Sequence, residues 1–171
     1  MSLTELGLPA TGRAVSIGSM TEHDLLEVVD IEESSGLSRW GWAAYYAELQ
    51  GSNRHLMLVA RVANQEHKRG RPKLAGYIVA RMGAAELHIN NVAVREPYRR
   101  LGIGRALLER ILEAGKRSEV TSAFLELRAG NAAALALYED CGFQVTARRS
   151  KYYAEPAEDA LVMIRELERE A

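Results

Sequence analysis

With 171 residues and a formal charge of −1, the chain is long enough to bury a core, and its charge gives no argument for a nucleic-acid or membrane partner. A single cysteine, Cys141, excludes an internal disulfide and fits a reducing, cytoplasmic setting. No apolar stretch approaches the ~20 residues of a membrane span, and Met1 to Gly12 lacks the charged and apolar regions of a signal peptide. The expectation is one α/β domain over residues 1–171.

Residues 1–13 read as a flexible leader containing Gly7, Pro9 and Gly12. Ala14 to Gly18 is a candidate first strand. Thr21 followed by Asp24 resembles a capping box, and Leu25, Leu26, Val28, Val29 and Ile31 supply a helical stripe behind it. Trp40 and Trp42 lead into a second helix to Leu49, closed by Gly51. His55 to Val62, Leu74 to Met82 and Glu86 to Val94 read as strands, the first two joined by a polar hairpin loop at residues 64–73. Ile103, Leu107, Leu108, Ile111 and Leu112 predict a helix ending near Gly115. Ser122 to Arg128 is a strand, Asn131 to Cys141 a helix closed by Gly142, and Phe143 to Tyr153 and Asp159 to Ile164 are final strands. Three successive strands followed by strand–helix–strand alternation predict a mixed α/β sheet.

The stretch from Ile89 to Ala114 concentrates chemistry. An apolar strand meets a turn at Pro97, then the loop Arg99-Arg100-Leu101-Gly102-Ile103-Gly104, then the amphipathic helix. Glycines at a strand-to-helix junction let backbone N–H groups turn toward a ligand, and a helix N-terminus carries about half a positive charge. Arg95, Arg99, Arg100 and Arg105 add cations, so the loop reads as a pyrophosphate site or, more plainly, as a solvated basic loop. It is neither a Rossmann fingerprint, which needs Gly-x-Gly-x-x-Gly, nor a P-loop, which needs Gly-Lys-Ser or Gly-Lys-Thr.

Further along, the two-residue period of Phe124-Leu125-Glu126-Leu127-Arg128 puts Phe124, Glu126 and Arg128 on one strand face. A carboxylate there is either paired, with Arg128 a candidate partner, or pushed up in pKa by desolvation. Tyr138 lies among Ala and Leu, where a tyrosine packs with its hydroxyl at a rim, and Asn131 is a good N-cap. His88 is a competing base if its strand is regular, or a structural histidine at the strand's outer end. His23, His55 and His67 lack metal-ligand spacing, so no metal is expected.

The loop from Arg99 to Gly104 is similar to the Arg/Gln-x-x-Gly-x-Gly/Ala loop of the GCN5-related N-acetyltransferases, which bind the pyrophosphate of coenzyme A. Leu125 to Phe143, Leu-Glu-Leu-Arg-Ala-Gly-Asn-Ala-Ala-Ala-Leu-Ala-Leu-Tyr-Glu-Asp-Cys-Gly-Phe, resembles the second half of that signature. With Tyr152-Tyr153 and Glu158 to Met163, the pattern looks like the RimI-type branch, the ribosomal-protein-alanine N-acetyltransferases. The likeness is strong over residues 86–165 and weak before them.

The resemblance implies a single-domain fold with a mixed, mostly antiparallel central sheet, splayed fourth and fifth strands, and about four flanking helices. It implies acetyl-CoA as co-substrate, held by Val92, Ala93, Val94, Arg100, Leu101, Gly102, Ile103, Gly104, Arg105 and Asn131. Glu126 would be general base and Tyr138 general acid, with Trp42, Tyr152 and Tyr153 lining an acceptor groove. The implied acceptor is a protein or peptide N-terminus, an N-terminal alanine of a small-subunit ribosomal protein in particular, without nucleic acid or membrane and with the enzyme a monomer or weak dimer. This chain departs from the branch in the loop Ser38-Arg39-Trp40-Gly41-Trp42 and in a short Ala154-Glu155-Pro156-Ala157 connection. The rival readings are a small-molecule amine acetyltransferase and a non-catalytic acyl-CoA-binding module.

Overall fold

The computed structural model describes residues 4–7, 14–37, 39–51, 54–63, 73–118 and 120–168. Within them the elements are β1 (Thr4–Gly7), β2 (Ala14–Ser19), α1 (Leu25–Ser34), α2 (Gly41–Leu49), β3 (His55–Val62), β4 (Lys73–Met82), β5 (Glu86–Val94), α3 (Ile103–Lys116), β6 (Ser122–Arg128), α4 (Ala132–Asp140), β7 (Gln144–Ala154) and β8 (Ala157–Glu166). The chain forms two compact units, Met1–Val79 with Asn91–Leu107, and Ala80–Asn90 with Leu108–Ala171.

In the first unit the strand order is β1-β2-β3-β4. The β1–β2 ladder is antiparallel from Thr4↔Ile17 to Gly7↔Ala14, and β2–β3 from Val15↔Val62 to Ser19↔Leu58. Part of the expected leader is therefore a strand; four residues are too few for a two-residue period to stand out. The remainder of that leader, Ser38, His67 and nearly all of the expected hairpin loop (64–72) lie outside the described residues.

The Asp24 carboxylate closes the turn before α1, accepting from Thr21 N–H at 2.8 Å and Thr21 Oγ1 at 2.9 Å, and it pairs with Arg61 at 2.6 Å. Leu25, Val28 and Ile31 then enter a core with Tyr45, Val59 and Tyr77. Leu26 does not; it stands 78% exposed.

Glu32 ends that apolar face with a buried charge. Its carboxylate accepts from Trp40 N–H at 2.9 Å, Gly41 N–H at 3.0 Å and the Tyr45 hydroxyl at 2.7 Å. Two of these donors lie at the start of α2, where a helix leaves N–H groups unpaired and favours an anion. Tyr45 Oη in turn meets Tyr77 Oη at 2.8 Å and accepts from Asn91 Nδ2 at 3.0 Å. Burial foremost holds both phenols above their ordinary pKa, so they stay neutral donors. Glu32→Ala removes the acceptor of one buried and two part-buried donors, at roughly 1–3 kcal/mol each. At about 2–4 °C per kcal/mol, we expect the midpoint of thermal unfolding to fall by about 10 °C. A fall under about 2 °C in a circular-dichroism melt would contradict that role.

In the second unit the strand order is β5-β6-β8-β7. The β5–β6 ladder is parallel, from Glu86↔Ser122 to Ile89↔Leu125, while β6–β8 and β7–β8 are antiparallel. Leu108, Ile111 and Leu112 of α3 are buried, as the spacing predicts. The helix runs through Gly115 instead of stopping there. A Cβ at Gly115 would lie 3.2 Å from Leu87 and Leu167 side chains, so this glycine serves close packing. Asn131 caps α4 by accepting from Ala134 N–H at 3.1 Å, and Gly142, at φ +82°, ends it.

Candidate active site

The expected phosphate loop lies wholly in the first unit. Alternation along β5 buries Ala93 and leaves Val92 and Val94 half-buried on the other face. The neighbouring backbone is close: a Cβ at Gly76 would sit 2.6 Å from the Ala93 carbonyl oxygen. After β5 a 3₁₀ turn, Glu96–Tyr98, redirects the chain. Arg100 (φ +63°) and Gly102 (φ +80°) then adopt left-handed conformations on either side of Leu101. Gly102 C=O accepts from Ala106 N–H at 3.0 Å, which opens α3, and buried Ile103 pins its first turn. The N–H groups of Ile103, Gly104 and Arg105 have no acceptor inside the helix. A Cβ built at Gly102 meets nothing within 4 Å. Gly102 therefore borders open space, and the loop has the form of an anion-binding nest.

The arginines divide. Arg95 is not part of that cradle. It pairs with Asp30 at 2.5 Å and Glu27 at 3.7 Å and donates from Nε to Leu74 C=O at 3.0 Å. Arg99 donates from Nε to Val94 C=O at 2.9 Å, so the strand end and the loop are tied together. Arg100 is exposed and Arg105 partly so. Trp42, also in this unit, is 45% exposed and stacks on Tyr46 at 4.8 Å.

The second unit gathers the titratable residues. β6 alternates as predicted, with Phe124, Glu126 and Arg128 half-buried on one face and Ala123, Leu125 and Leu127 buried on the other. The partner of Glu126 is Arg149 of β7, with Nη1 2.8 Å from Oε1. Arg128 instead pairs with Glu158 at 3.3 Å, donates to the Pro156 and Glu155 carbonyls, and lies over the Tyr153 ring at 4.2 Å. The Glu126 carboxylate raises the phenol pKa of Tyr152 more than any other influence. Tyr153 is raised by burial first and by the Glu126 charge second. Tyr138 on α4 is buried edge-on to Phe143 at 6.0 Å, and desolvation holds its phenol above the ordinary value, protonated at neutral pH. Asn131 is occupied as the α4 cap.

His88 lies flat on Phe124, centroids 4.1 Å apart and planes 14° from parallel. Burial is the main cause that lowers its pKa, so the ring is neutral at physiological pH. Asn90, on the same β5 face, has a buried Oδ1 without a hydrogen-bond partner among the described residues.

Sequence reasoning missed Arg149 and the Glu32–Tyr45–Tyr77 network. Arg149 carried one signal, the basic pair Arg148-Arg149 separated from Tyr152-Tyr153 by two residues. The network carried none, because a polar residue on a helix reads as solvated until its partners are known.

Among known proteins, the model of the Acetyltransferase (GNAT) family matches residues 25–143. The [ribosomal protein bS18]-alanine N-acetyltransferase of Escherichia coli K12 is 40% identical over 93 residues, covering 53% of this chain and 63% of that protein. The chain thus aligns with less than two thirds of that relative's length. N-alpha-acetyltransferase RimI of Mycobacterium tuberculosis is 31% identical over 165 residues, 93% of this chain and 97% of that protein. The crystal structure of the Escherichia coli ribosomal-protein-S18-alanine N-acetyltransferase superposes with a TM-score of 0.76 at 29% identity, over 92% of this chain and 96% of that one.

Proposed function

Because the chain belongs to the acetyltransferase (GNAT) family, we propose that it is an acetyl-CoA-dependent N-acetyltransferase acting on protein N-terminal α-amines, with an N-terminal alanine of a small-subunit ribosomal protein as the target. The observation that carries the reading is that the second unit holds both a half-buried carboxylate, Glu126, and a buried, protonated phenol, Tyr138. The likeness to N-alpha-acetyltransferase RimI along nearly its whole length supports the acceptor class.

Acetyl-CoA supplies an activated acyl group on a thioester. The main chain of Arg100 to Arg105 would take its diphosphate on N–H groups, with Arg100 and Arg105 adding charge, and Val92, Ala93 and Val94 would offer strand backbone to its pantetheine arm. Asn131, as the α4 cap, has its carbonyl oxygen committed and would contact the donor through its amide NH₂. Glu126 accepts a proton from the acceptor nitrogen, directly or through water, as that nitrogen attacks. The new C–N bond forms, the C–S bond breaks, and Tyr138 delivers a proton to the departing sulfur. Solvent returns the proton from Glu126 to Tyr138. An α-amine has a pKa of about 7.7–8.0, so a carboxylate is base enough near neutrality. Trp42, Tyr152 and Tyr153 are proposed to flank the acceptor. The reading also takes the chain as one acetyltransferase domain, acting in the cytoplasm as a monomer or weak dimer without a metal.

Tyr138→Phe is expected to lower kcat by about 10–100-fold, since a thiol of pKa near ~8.5 needs only modest help to leave. The acetyl-CoA dissociation constant should stay within about twofold. A kcat at the wild-type level would remove Tyr138 as acid. The function as a whole is tested by screening short peptides differing in their first two residues for thiol release, with spermidine and an aminoglycoside alongside. Turnover of the small amines with indifference to every peptide would support the small-molecule reading instead, and no thiol release from any amine would support the acyl-CoA-binding module.

A further inference from the structure

The β7–β8 ladder slips beside Glu126. Register passes from Arg149↔Ala160 to Tyr153↔Glu158, four steps on β7 against two on β8. Lys151 takes the strain at φ +53°. Asp159 holds the bulge, accepting from Lys151 N–H at 2.8 Å and from Arg148 Nε at 2.7 Å. A bulge re-aims side chains that a regular strand would send to alternate faces. Here it brings two β7 residues to one carboxylate: Arg149 pairs with Glu126 at 2.8 Å and sits 5.4 Å from the ring of Tyr152, whose phenol pKa the same carboxylate raises.

The other charged and titratable groups around Glu126 are already disposed. Arg128, on the same β6 face, is engaged by Glu158. Asp159 is engaged by Arg148. Tyr153 and, from β5, His88 feel the carboxylate's charge, and His88 is neutral through burial. Among the described residues, Arg149 is the cation that pairs with Glu126, at 2.8 Å.

That pairing has a consequence for acceptor choice. At pH 7 roughly a tenth of a protein's α-amino groups are neutral, against about one in 2,500 lysine side chains. A bare carboxylate attracts both ammonium ions and then takes a proton from whichever binds. A carboxylate already carrying a guanidinium offers an incoming cation no net attraction, and admits the uncharged amine instead. We propose that Arg149 is a specificity-determining residue that selects α-amines over lysine and polyamine ammonium groups by neutralising Glu126 toward incoming cations. This rests on the α-amine reading above. Arg149 is 55% exposed, so the pair is of the weak, exchangeable surface kind and does not lock the base away.

The test compares two peptides, one with a free N-terminal alanine and no lysine, the other N-terminally blocked with a single lysine. The ratio of their kcat/KM values is measured for wild type, Arg149→Gln and Arg149→Lys. Wild type should favour the α-amine at least a hundredfold. Arg149→Gln should lower that ratio at least tenfold, chiefly through a smaller KM for the lysine peptide, and Arg149→Lys should restore it. An unchanged ratio in Arg149→Gln, or an equal loss on both peptides, would overturn the proposal and leave the α-amine reading standing. A wild-type enzyme inactive on both peptides would instead overturn the α-amine reading and this proposal with it.

Discussion

Glu126→Gln should lower kcat at neutral pH by about a hundred- to ten-thousandfold, the usual contribution of a positioned general base. The amide nearly preserves shape, and its oxygen can still accept from Arg149, the ion-pair partner of the carboxylate. What it loses is the ability to take a proton. Because Glu126 is not among the residues expected to hold the donor, acetyl-CoA affinity should remain within about twofold of wild type. His88→Gln serves as the comparison. The ring is stacked on Phe124, and removing it should cost far less turnover than removing the carboxylate's basicity. If His88→Gln is the dead variant and Glu126→Gln turns over normally, the base has been misassigned.

Gly102→Val should raise the acetyl-CoA dissociation constant about 10–100-fold while leaving kcat at saturating donor much nearer wild type. Gly102 holds φ +80°, and a β-branched residue at such an angle costs of order 1–3 kcal/mol. The loop would either keep its shape under that strain, with the new side chain standing in the open space beside Gly102, or relax and turn its N–H groups away. Each route removes the cradle, and about 1.4 kcal/mol corresponds to a tenfold change in affinity. Equilibrium dialysis or calorimetry with acetyl-CoA reads the effect directly. Unchanged affinity would refute the diphosphate cradle.

Elements whose period is their own were legible in the sequence. The α3 stripe from Ile103 to Leu112, the alternation of β6 and the Asn131 cap each depend on neighbours a few residues away, and the structure has them where expected. Features decided by partners distant along the chain were not. Arg95 looked like part of a basic loop because its carboxylate partners, Glu27 and Asp30, belong to α1. Arg128 looked like the partner of Glu126 because the two share a strand face. The pairing went to Arg149 through a bulge that no two-residue period encodes. Gly115 read as a helix stop, since nothing local distinguishes that from a contact with Leu87 and Leu167. Leu26 fitted the stripe of α1 by residue type and still faces solvent. The proposed catalytic roles came from resemblance, and the geometry adds a counter-ion for Glu126 and a buried, protonated site for Tyr138.

The most direct measurement is tandem mass spectrometry of an alanine-led peptide that also contains one lysine, after incubation with acetyl-CoA and either wild type or Glu126→Gln. The account predicts an acetyl group on the α-nitrogen with wild type, and almost none with the variant at equal time. Acetyl found on the lysine alone, or the same α-acetylation from both proteins, would contradict it.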